Sequence, residues 1–251
     1  MRILALLFIL FTGNELFAQA ASLPPSPGSL DPSMVTKLAV LAGLSLLPFA
    51  IMLLTSFMKI IVVLSLLRQA LGVQNTPPNQ VLNGIALLIT IYVMFPVGLA
   101  MYTASEEVIK TRAPTGVFSP EAAPFILDVV DKAKEPLKGF LDRNCSAKHV
   151  TSFYKLAYRM FPEPYKAQLK PTDFIILIPS FITSQLKTSF EIGVLIYLPF
   201  FVIDLVVSNI LLAMGMMMLS PLTIALPIKL LLLVLVDGWT VLIQALALSF
   251  K

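Results

Sequence analysis

Six charged residues lie inside or at the ends of long apolar stretches, and they are the clearest candidates for chemistry in this chain. A charge at the centre of a membrane helix costs roughly 2.5–3.5 kcal/mol on insertion scales, so such residues usually face protein or water. They fit either a relay that passes protons or ions through one chain, or the pairing of charges between subunits of an assembly. These residues are Lys59, Lys187, Glu191, Asp204, Lys229 and Asp237.

Assembly explains the apolar stretches better than a relay does, because they are overlong and contain prolines. Irregular backbone at membrane depth survives only where it is buried in protein or lines a water-filled space. Lys187 and Glu191 are also spaced i, i+4 and can neutralise each other on one helix.

A methionine-rich stretch, residues 214–221, is the second candidate site. Methionine is unbranched and polarizable, so a cluster of methionines forms a soft surface that repacks around varied shapes. The nearby Pro221 and Pro227 predict a break in the helix here. The stretch is then either a deformable gate beside a passage or simple filling for a membrane or core interface. The candidate gate residues are Met214, Gly215, Met216, Met217 and Met218.

The rest of the sequence offers little for catalysis or for binding a cofactor. The single cysteine, Cys145, excludes an internal disulfide, and with the single histidine, His149, it supplies too few ligands for a zinc site. The sequence has no glycine-rich phosphate loop, nucleophile elbow or HExxH motif. We therefore expect no enzyme and no cofactor or metal. Without a long basic run, we expect no nucleic-acid partner either.

Composition indicates a membrane protein with a secretory signal. Hydrophobic residues make up 57% of the chain and charged residues 13%, whereas soluble domains are about 45–50% apolar and 25% charged. Met1 and Arg2 precede a short apolar run that ends in an Ala-x-Ala pattern, which predicts a signal peptide over 1–20 cleaved after Ala20. The alternative is a short anchor helix that stays attached. A flexible leader is expected over 21–34.

The apolar segments predict an all-α, membrane-associated fold of two long, kinked helical hairpins. The first hairpin covers 35–103, and its first segment is longer than the bilayer is thick, so it must tilt, kink at Pro48 or extend past the bilayer. Its partner covers 173–251, is expected to break at Pro179 and Pro199, and carries the methionine loop at its tip.

Between the hairpins, charged residues and prolines return over 104–172. We expect a small helical domain outside the bilayer, on the periplasmic side. One helix of this domain is predicted by apolar residues at helical spacing, namely Phe125, Val129, Ala133 and Leu137.

Several long motifs in both hairpins resemble the FliP/SctR family, and the resemblance covers nearly the whole mature chain. In the first hairpin the motifs are Thr55–Ile60, Leu66–Gly72 and Pro77–Asn79; in the second they are Ser184–Gly193, Tyr197–Ser208, Met214–Pro221, Leu226–Lys229 and Asp237–Trp239.

The resemblance implies a core subunit of the bacterial type III export gate, which passes unfolded secreted proteins across the inner membrane. It implies a pentamer in which the methionine residues form a gasket around the closed pore. The implied partners are FliQ/SctS-like, FliR/SctT-like, FlhB/SctU-like and FlhA/SctV-like subunits.

Two branches of this family remain possible, and so do two functions outside it. The stretches Gly72–Gln74, Tyr92–Gly98 and Ser208–Met214 look closer to the virulence injectisome members. A cleavable signal is more usual in the flagellar branch. Outside the family, the intramembrane charges fit a proton or solute transporter, and the helices alone fit an assembly scaffold without a pore.

Overall fold

The computed structural model describes residues 32–73, 76–112, 122–216 and 218–250. The predicted signal peptide, most of the leader and Met217 lie outside the described residues. The described part of the chain forms nine helices and contains no strand. The helices are α1 (Pro32–Leu54), α2 (Phe57–Leu71), α3 (Asn79–Arg112), α4 (Ala122–Arg143), α5 (Ala147–Met160), α6 (Tyr165–Gln168), α7 (Phe174–Ala213), α8 (Pro221–Leu235) and α9 (Gly238–Leu248).

The prediction of an all-α, membrane-associated fold is confirmed. Asn79–Glu106 of α3 and the whole of α7 are each long and apolar enough to cross a bilayer. Two bent helix pairs, α1 with α2 and α8 with α9, bring the number of candidate spans to as many as four.

The bends in these pairs do not occur at the predicted prolines. The first pair bends by 75° between Leu54 and Phe57, whereas Pro48 lies inside α1. The second pair bends by 62° before Gly238, where Asp237 has a left-handed backbone with φ 50°. The large bend of the first segment therefore lies after Pro48, and the bend at Asp237 adds to the predicted fold.

Helix α7 runs unbroken through both Pro179 and Pro199, so the prediction of breaks there was also wrong. A proline removes one helical N–H and leaves a carbonyl of the preceding turn without its donor. Pro179 frees the carbonyl of Ile175. In the same part of the helix, the hydroxyl of Ser180 donates to the carbonyl of Ile176 at 2.6 Å, and that of Thr183 donates to the carbonyl of Pro179 at 2.8 Å. These bonds add to the helix around the proline rather than replace the one that is lost.

The two predicted hairpins pack on each other mainly through α2 and α7. Leu66 of α2 approaches the backbone of Gly193 so closely that a Cβ at this position would lie 2.2 Å from the Leu66 Cδ1 atom. On the other side of α2, Ile60 and Leu64 are fully buried against α3. Helix α2 is thus the central element of the membrane part.

The middle region is continuous with the hairpins rather than separate from them. Helix α3 extends to Arg112, and α4 packs along it. The predicted apolar stripe of α4 is half-buried. Phe140 of α4 packs against Phe181 of α7, with ring centroids 5.9 Å apart. The first turns of α7 therefore share a core with the middle helices.

Candidate functional site

The methionine loop begins where Gly215 ends α7. Gly215 has φ 73°, a left-handed conformation that glycine adopts without a side-chain penalty. Its N–H donates to the carbonyl of Leu212 at 3.1 Å, and the N–H of Met216 donates to the carbonyl of Leu211 at 3.0 Å. This pair of bonds is a Schellman motif, which satisfies the last carbonyls of the helix. The chain reversal is therefore fixed by backbone hydrogen bonds.

The loop closes just as tightly at the start of α8. Leu219 N–H donates to the carbonyl of Met216 at 3.2 Å, and Pro221 occupies the first turn of α8, where its missing N–H costs nothing. The methionine side chains point away from this framework. Met214 is 62% exposed, Met216 is 47% exposed, and Met218 is fully exposed. Backbone hydrogen bonds on either side of Met217 thus support soft apolar side chains that the described chain itself does not cover.

Two of the six predicted charges meet behind the loop. Lys229 Nζ of α8 lies 2.7 Å from Asp204 Oδ2 of α7 and donates a second hydrogen bond to the carbonyl of Ala70 at 3.0 Å. The lysine side chain is 2% exposed and the aspartate side chain 34%. These contacts join α2, α7 and α8. Within the described chain these two residues are each other's partners, and their pairing between subunits stays a prediction.

The turn of the first hairpin contacts α8 at the same end of the molecule. Gly72 has φ 77°, and a Cβ there would lie 2.9 Å from the Cδ1 atom of Leu222. Arg68 holds this turn by donating to Asn79 Oδ1 at 2.7 Å and to the carbonyl of Pro77 at 3.1 Å. The first helical turn of α8 therefore packs against a turn that the hydrogen bonds of Arg68 hold in place.

Lys59 is buried at a different level of the molecule. Its Nζ atom donates to Ser249 Oγ at 3.1 Å and lies 3.9 Å from the ring centroid of Phe250. Among the described residues, no carboxylate lies within ion-pair distance of it. The ring face of Phe250 and the hydroxyl of Ser249 thus take the place of water around the Lys59 ammonium.

The remaining three predicted charges are exposed in the single chain. Lys187 and Glu191 lie 3.5 Å apart on one face of α7. Asp237 accepts a hydrogen bond from the hydroxyl of Thr240 at 2.9 Å, at the start of α9. Glu191 and Asp204 are separated by thirteen positions of one helix, or about 20 Å. The structure therefore brings Asp204 and Lys229 together and leaves the other charges at separate places.

Sequence reasoning missed a polar cluster at the other end of α7, centred on Ser184. The Ser184 hydroxyl donates to the carbonyl of Ser180 at 2.7 Å and accepts the N–H of Ser146 at 3.0 Å. His149 Nδ1 lies 2.7 Å from the same oxygen, and Cys145 Sγ lies 3.6 Å from it. Since a hydroxyl has one hydrogen, His149 is the donor in its contact.

This Ser184 cluster explains the spacing of Cys145 and His149 without a metal. Both residues flank the turn between α4 and α5, and both contact one serine of α7. Gln185 donates to the carbonyl of Asn144 at 2.7 Å and adds a second link to this turn. Within the described ranges, no group of three metal-binding side chains occurs. Small polar residues one turn apart in an apolar helix, Ser180 and Ser184, were the available sequence signal.

Comparison with known proteins identifies the family. The FliP family model matches residues 40–246. The chain belongs to the FliP family. The prediction from the sequence motifs is therefore confirmed, and membership places the chain among the subunits of the type III export apparatus. The apolar helices fit a protein of the inner membrane.

Relatives from both branches of the FliP family are similar over most of their length. The virulence protein YscR of Salmonella typhimurium is 46% identical over 225 residues, which cover 89% of this chain and all of the relative. Yop proteins translocation protein R of Yersinia pestis is 44% identical over 221 residues, or 87% of this chain and 97% of the relative. The flagellar biosynthetic protein FliP of Pectobacterium carotovorum is 40% identical over 246 residues, or 96% of this chain and 90% of the relative.

Proposed function

We propose that this FliP-family chain is a pore-forming subunit of a type III protein export gate, and that its methionine loop seals the closed pore. The observation that carries this proposal is the geometry of the loop. Met214, Met216 and Met218 are exposed at a turn with backbone hydrogen bonds on either side of Met217, and an ion pair between the buried Lys229 and the half-buried Asp204 links the helices behind it. A soft surface on a rigid support can close around a chain of varied side chains and reclose without one.

A single loop cannot enclose a pore, so several copies must contribute. The most apolar window of α7 is only 17% buried within the chain, which leaves a large surface for lipid or neighbouring subunits. We propose a pentamer that joins FliQ/SctS-like and FliR/SctT-like subunits, with FlhB/SctU-like and FlhA/SctV-like proteins below it. The exposed Lys187 and Glu191, with Asp237, remain our candidates for charge pairing between subunits.

The proposed topology follows from the N-terminal signal and the two hairpins. Cleavage of residues 1–20 leaves the mature N-terminus outside the cytoplasm. The middle region, 104–172, then lies in the periplasm. Each hairpin enters and leaves the inner membrane on that side.

The proposed substrates are unfolded proteins, and the subunit performs no chemistry on them. We propose a virulence injectisome as the system, in line with the Salmonella and Yersinia relatives. Flagellar export is the second candidate, and the flagellar relative that aligns with 96% of this chain favours it. Replacing the native gene of each system in turn and measuring secretion of effector or hook proteins separates the two.

Replacement of Met216, Met217 and Met218 by alanine tests the gate. We expect the closed apparatus to leak small ions, because alanine is too short to fill the space between copies of the loop. The measurement is the conductance of membranes that contain the assembled complex, without substrate. Met160→Ala is the matched control, because Met160 is 70% exposed but lies on α5. Unchanged conductance in the triple variant would refute the seal.

The methionine variants, together with carboxylate variants and a cross-link, distinguish the export gate from a transporter and from a scaffold. A transporter that uses Glu191 and Asp204 as relays keeps its flux when the methionines are lost and fails when a carboxylate becomes an amide. A scaffold without a pore gives no cross-link between a labelled substrate and the methionine loop during secretion.

A further inference from the structure

The first turn of α8 carries the far end of the methionine loop but has few partners within the described chain. Residues 221–224 are all exposed, and Ala225 is the first buried residue of α8. Three residues separate Met218 from Leu222. A shift of this turn therefore moves Met218 with it.

Leu222 connects this turn to the end of α2. Its Cδ1 atom would lie 2.9 Å from a Cβ placed on Gly72, so the leucine packs closely against the glycine backbone. Leu222 also lies on the same face of α8 as the buried residues Ala225 and Lys229, three and seven positions further on. Its side chain thus points toward the rest of the protein, although the residue is 43% exposed.

Gly72 permits this contact for two reasons. It ends α2 in a left-handed conformation with φ 77°, in which its N–H donates to the carbonyl of Gln69 at 3.0 Å. Glycine adopts this conformation without a side-chain penalty. A larger residue would also displace the Leu222 methyl group, so the absence of a side chain lets α8 approach α2.

The contact lies closer to the loop than the other link between α8 and α2. Lys229 donates to the carbonyl of Ala70, in the last turn of α2, at 3.0 Å. From there toward the loop, α7 and α8 pack on each other, with Val207 and Ala225 in one apolar cluster. Leu222 is seven positions, or about 10 Å, nearer the loop than Lys229. The joined ends of α7 and α8 can therefore pivot about Lys229 unless Leu222 holds them against the first hairpin.

Arg68 holds the turn that Leu222 contacts. Its Nη1 atom donates to Asn79 Oδ1 at 2.7 Å and to the carbonyl of Pro77 at 3.1 Å, which ties the end of α2 to the start of α3. The support beneath Leu222 therefore belongs to the first hairpin, whereas the methionine loop belongs to the second.

We propose that Leu222 is a positioning residue for the methionine loop. By packing on Gly72, it holds the joined ends of α7 and α8 against the first hairpin and keeps the methionines where they seal the pore. The inference rests on the proposed function, since it requires that the loop closes the pore. It adds the contact that places the loop, and it gives the turn between α2 and α3 a part in closure.

Leu222→Ala tests this contact through the ion conductance of membranes that contain the assembled complex without substrate. Alanine leaves a gap above Gly72, and we expect the conductance to rise by roughly fivefold or more, the lower end of common coupling between two sites. Leu222→Met fills nearly the same volume and should keep the gate closed. Complexes are compared at equal amounts of assembled protein, so that poor folding does not count as a leak.

Leu231→Ala is the matched control on the same helix. Leu231 is 59% exposed and, nine positions from Leu222, lies on the opposite face of α8. Its replacement should leave the conductance unchanged. A leak as large as that in Leu222→Ala would overturn the assignment, because any shortened leucine of α8 would then open the gate.

Arg68→Ala tests whether Leu222 acts through the turn between α2 and α3. Loss of the two hydrogen bonds of Arg68 loosens the surface under Leu222, so this variant should also leak. The double variant, Arg68→Ala with Leu222→Ala, should leak no more than the leakier single variant, because both changes remove one support. Independent, additive effects in the double variant overturn the inference.

The alanine replacement of residues 216–218 separates this inference from the proposed function. If that variant leaks and Leu222→Ala stays closed, the inference fails and the methionine seal stands. If neither variant leaks, the seal itself fails, and the positioning role of Leu222 fails with it.

Discussion

Helix α7 is attached to the rest of the molecule in two chemically different ways. Near the methionine loop, an ion pair between the buried Lys229 and the half-buried Asp204 ties it to α8 and, through the carbonyl of Ala70, to α2. At its other end, the neutral hydroxyl of Ser184 collects hydrogen bonds from the turn between α4 and α5. A buried charge that loses its partner is much more costly than a neutral group that does so. The end of α7 beside the methionine loop is therefore the more strongly attached end.

Removal of Asp204 should have the largest effect on stability. In Asp204→Ala the ammonium of Lys229 stays buried with only a carbonyl partner, and the expected loss is about 3–5 kcal/mol of unfolding free energy. Denaturant unfolding of the full-length protein in detergent measures it. The double variant Asp204→Leu with Lys229→Met should recover most of the loss, because it leaves no unpaired charge.

The exposed pair on the same helix provides the control for this prediction. Glu191→Ala removes an i, i+4 partner from Lys187, whose side chain is 60% exposed. Such a pair contributes about 0.3–0.5 kcal/mol. Equal losses of unfolding free energy in Asp204→Ala and Glu191→Ala would show that burial does not distinguish the two ion pairs.

Ser184→Ala should have an intermediate effect at the other end of α7. The change leaves the N–H groups of Ser146 and His149 without their acceptor, at a cost of about 1–3 kcal/mol. Hydrogen exchange of the Ser146 amide measures the local loss of stability at the turn. Denaturant unfolding measures the loss of unfolding free energy for the whole protein. Thr183→Ala is the neighbouring control, because its hydroxyl contacts only a carbonyl of its own helix. A loss in Ser184→Ala as large as that in Asp204→Ala would contradict the ranking of the two attachments.

The same contrast shows which parts of the molecule the sequence could predict. Long apolar segments predict helices and spans because burial depends on composition over many residues. The family motifs identified the loop and both members of the buried pair, Asp204 and Lys229. Their intrachain contact could not be foreseen, since it depends on how α7 and α8 cross.

The helix breaks predicted at Pro179 and Pro199 are absent, whereas the break predicted beside Pro221 is present. A proline weakens a helix without necessarily ending it, because it removes a single N–H while the hydrogen bonds on either side remain. The actual bends occur at Thr55–Ser56 and at Asp237, where no proline stands. The Ser184 cluster was missed because its members are ordinary polar residues, Ser146 and His149 among them, that become partners only after α5 folds back on α7.

The smallest expected effect concerns the reactivity of Cys145, the only cysteine of the chain. Burial raises the pKa of this thiol, and this effect outweighs the opposing contact with Ser184. At pH 8 the thiolate fraction is therefore below that of an exposed cysteine, and labelling by iodoacetamide should be slow. The difference should shrink as the pH rises through the raised pKa.

Loosening the turn should reverse this protection. In Ser184→Ala the loosened turn exposes the thiol. Because burial is the largest cause of its raised pKa, the pKa should fall toward the ordinary value even though the opposing contact with Ser184 is lost. Labelling at pH 8 should accelerate by up to about tenfold, since one pKa unit changes the thiolate fraction by that factor. Asp204→Ala acts at the far end of α7 and should leave the labelling rate unchanged in the folded protein. If both variants accelerate labelling equally, the two attachments open together and α7 responds as a single unit. Separate responses would show that the middle region can loosen while the helices behind the methionine loop stay fixed.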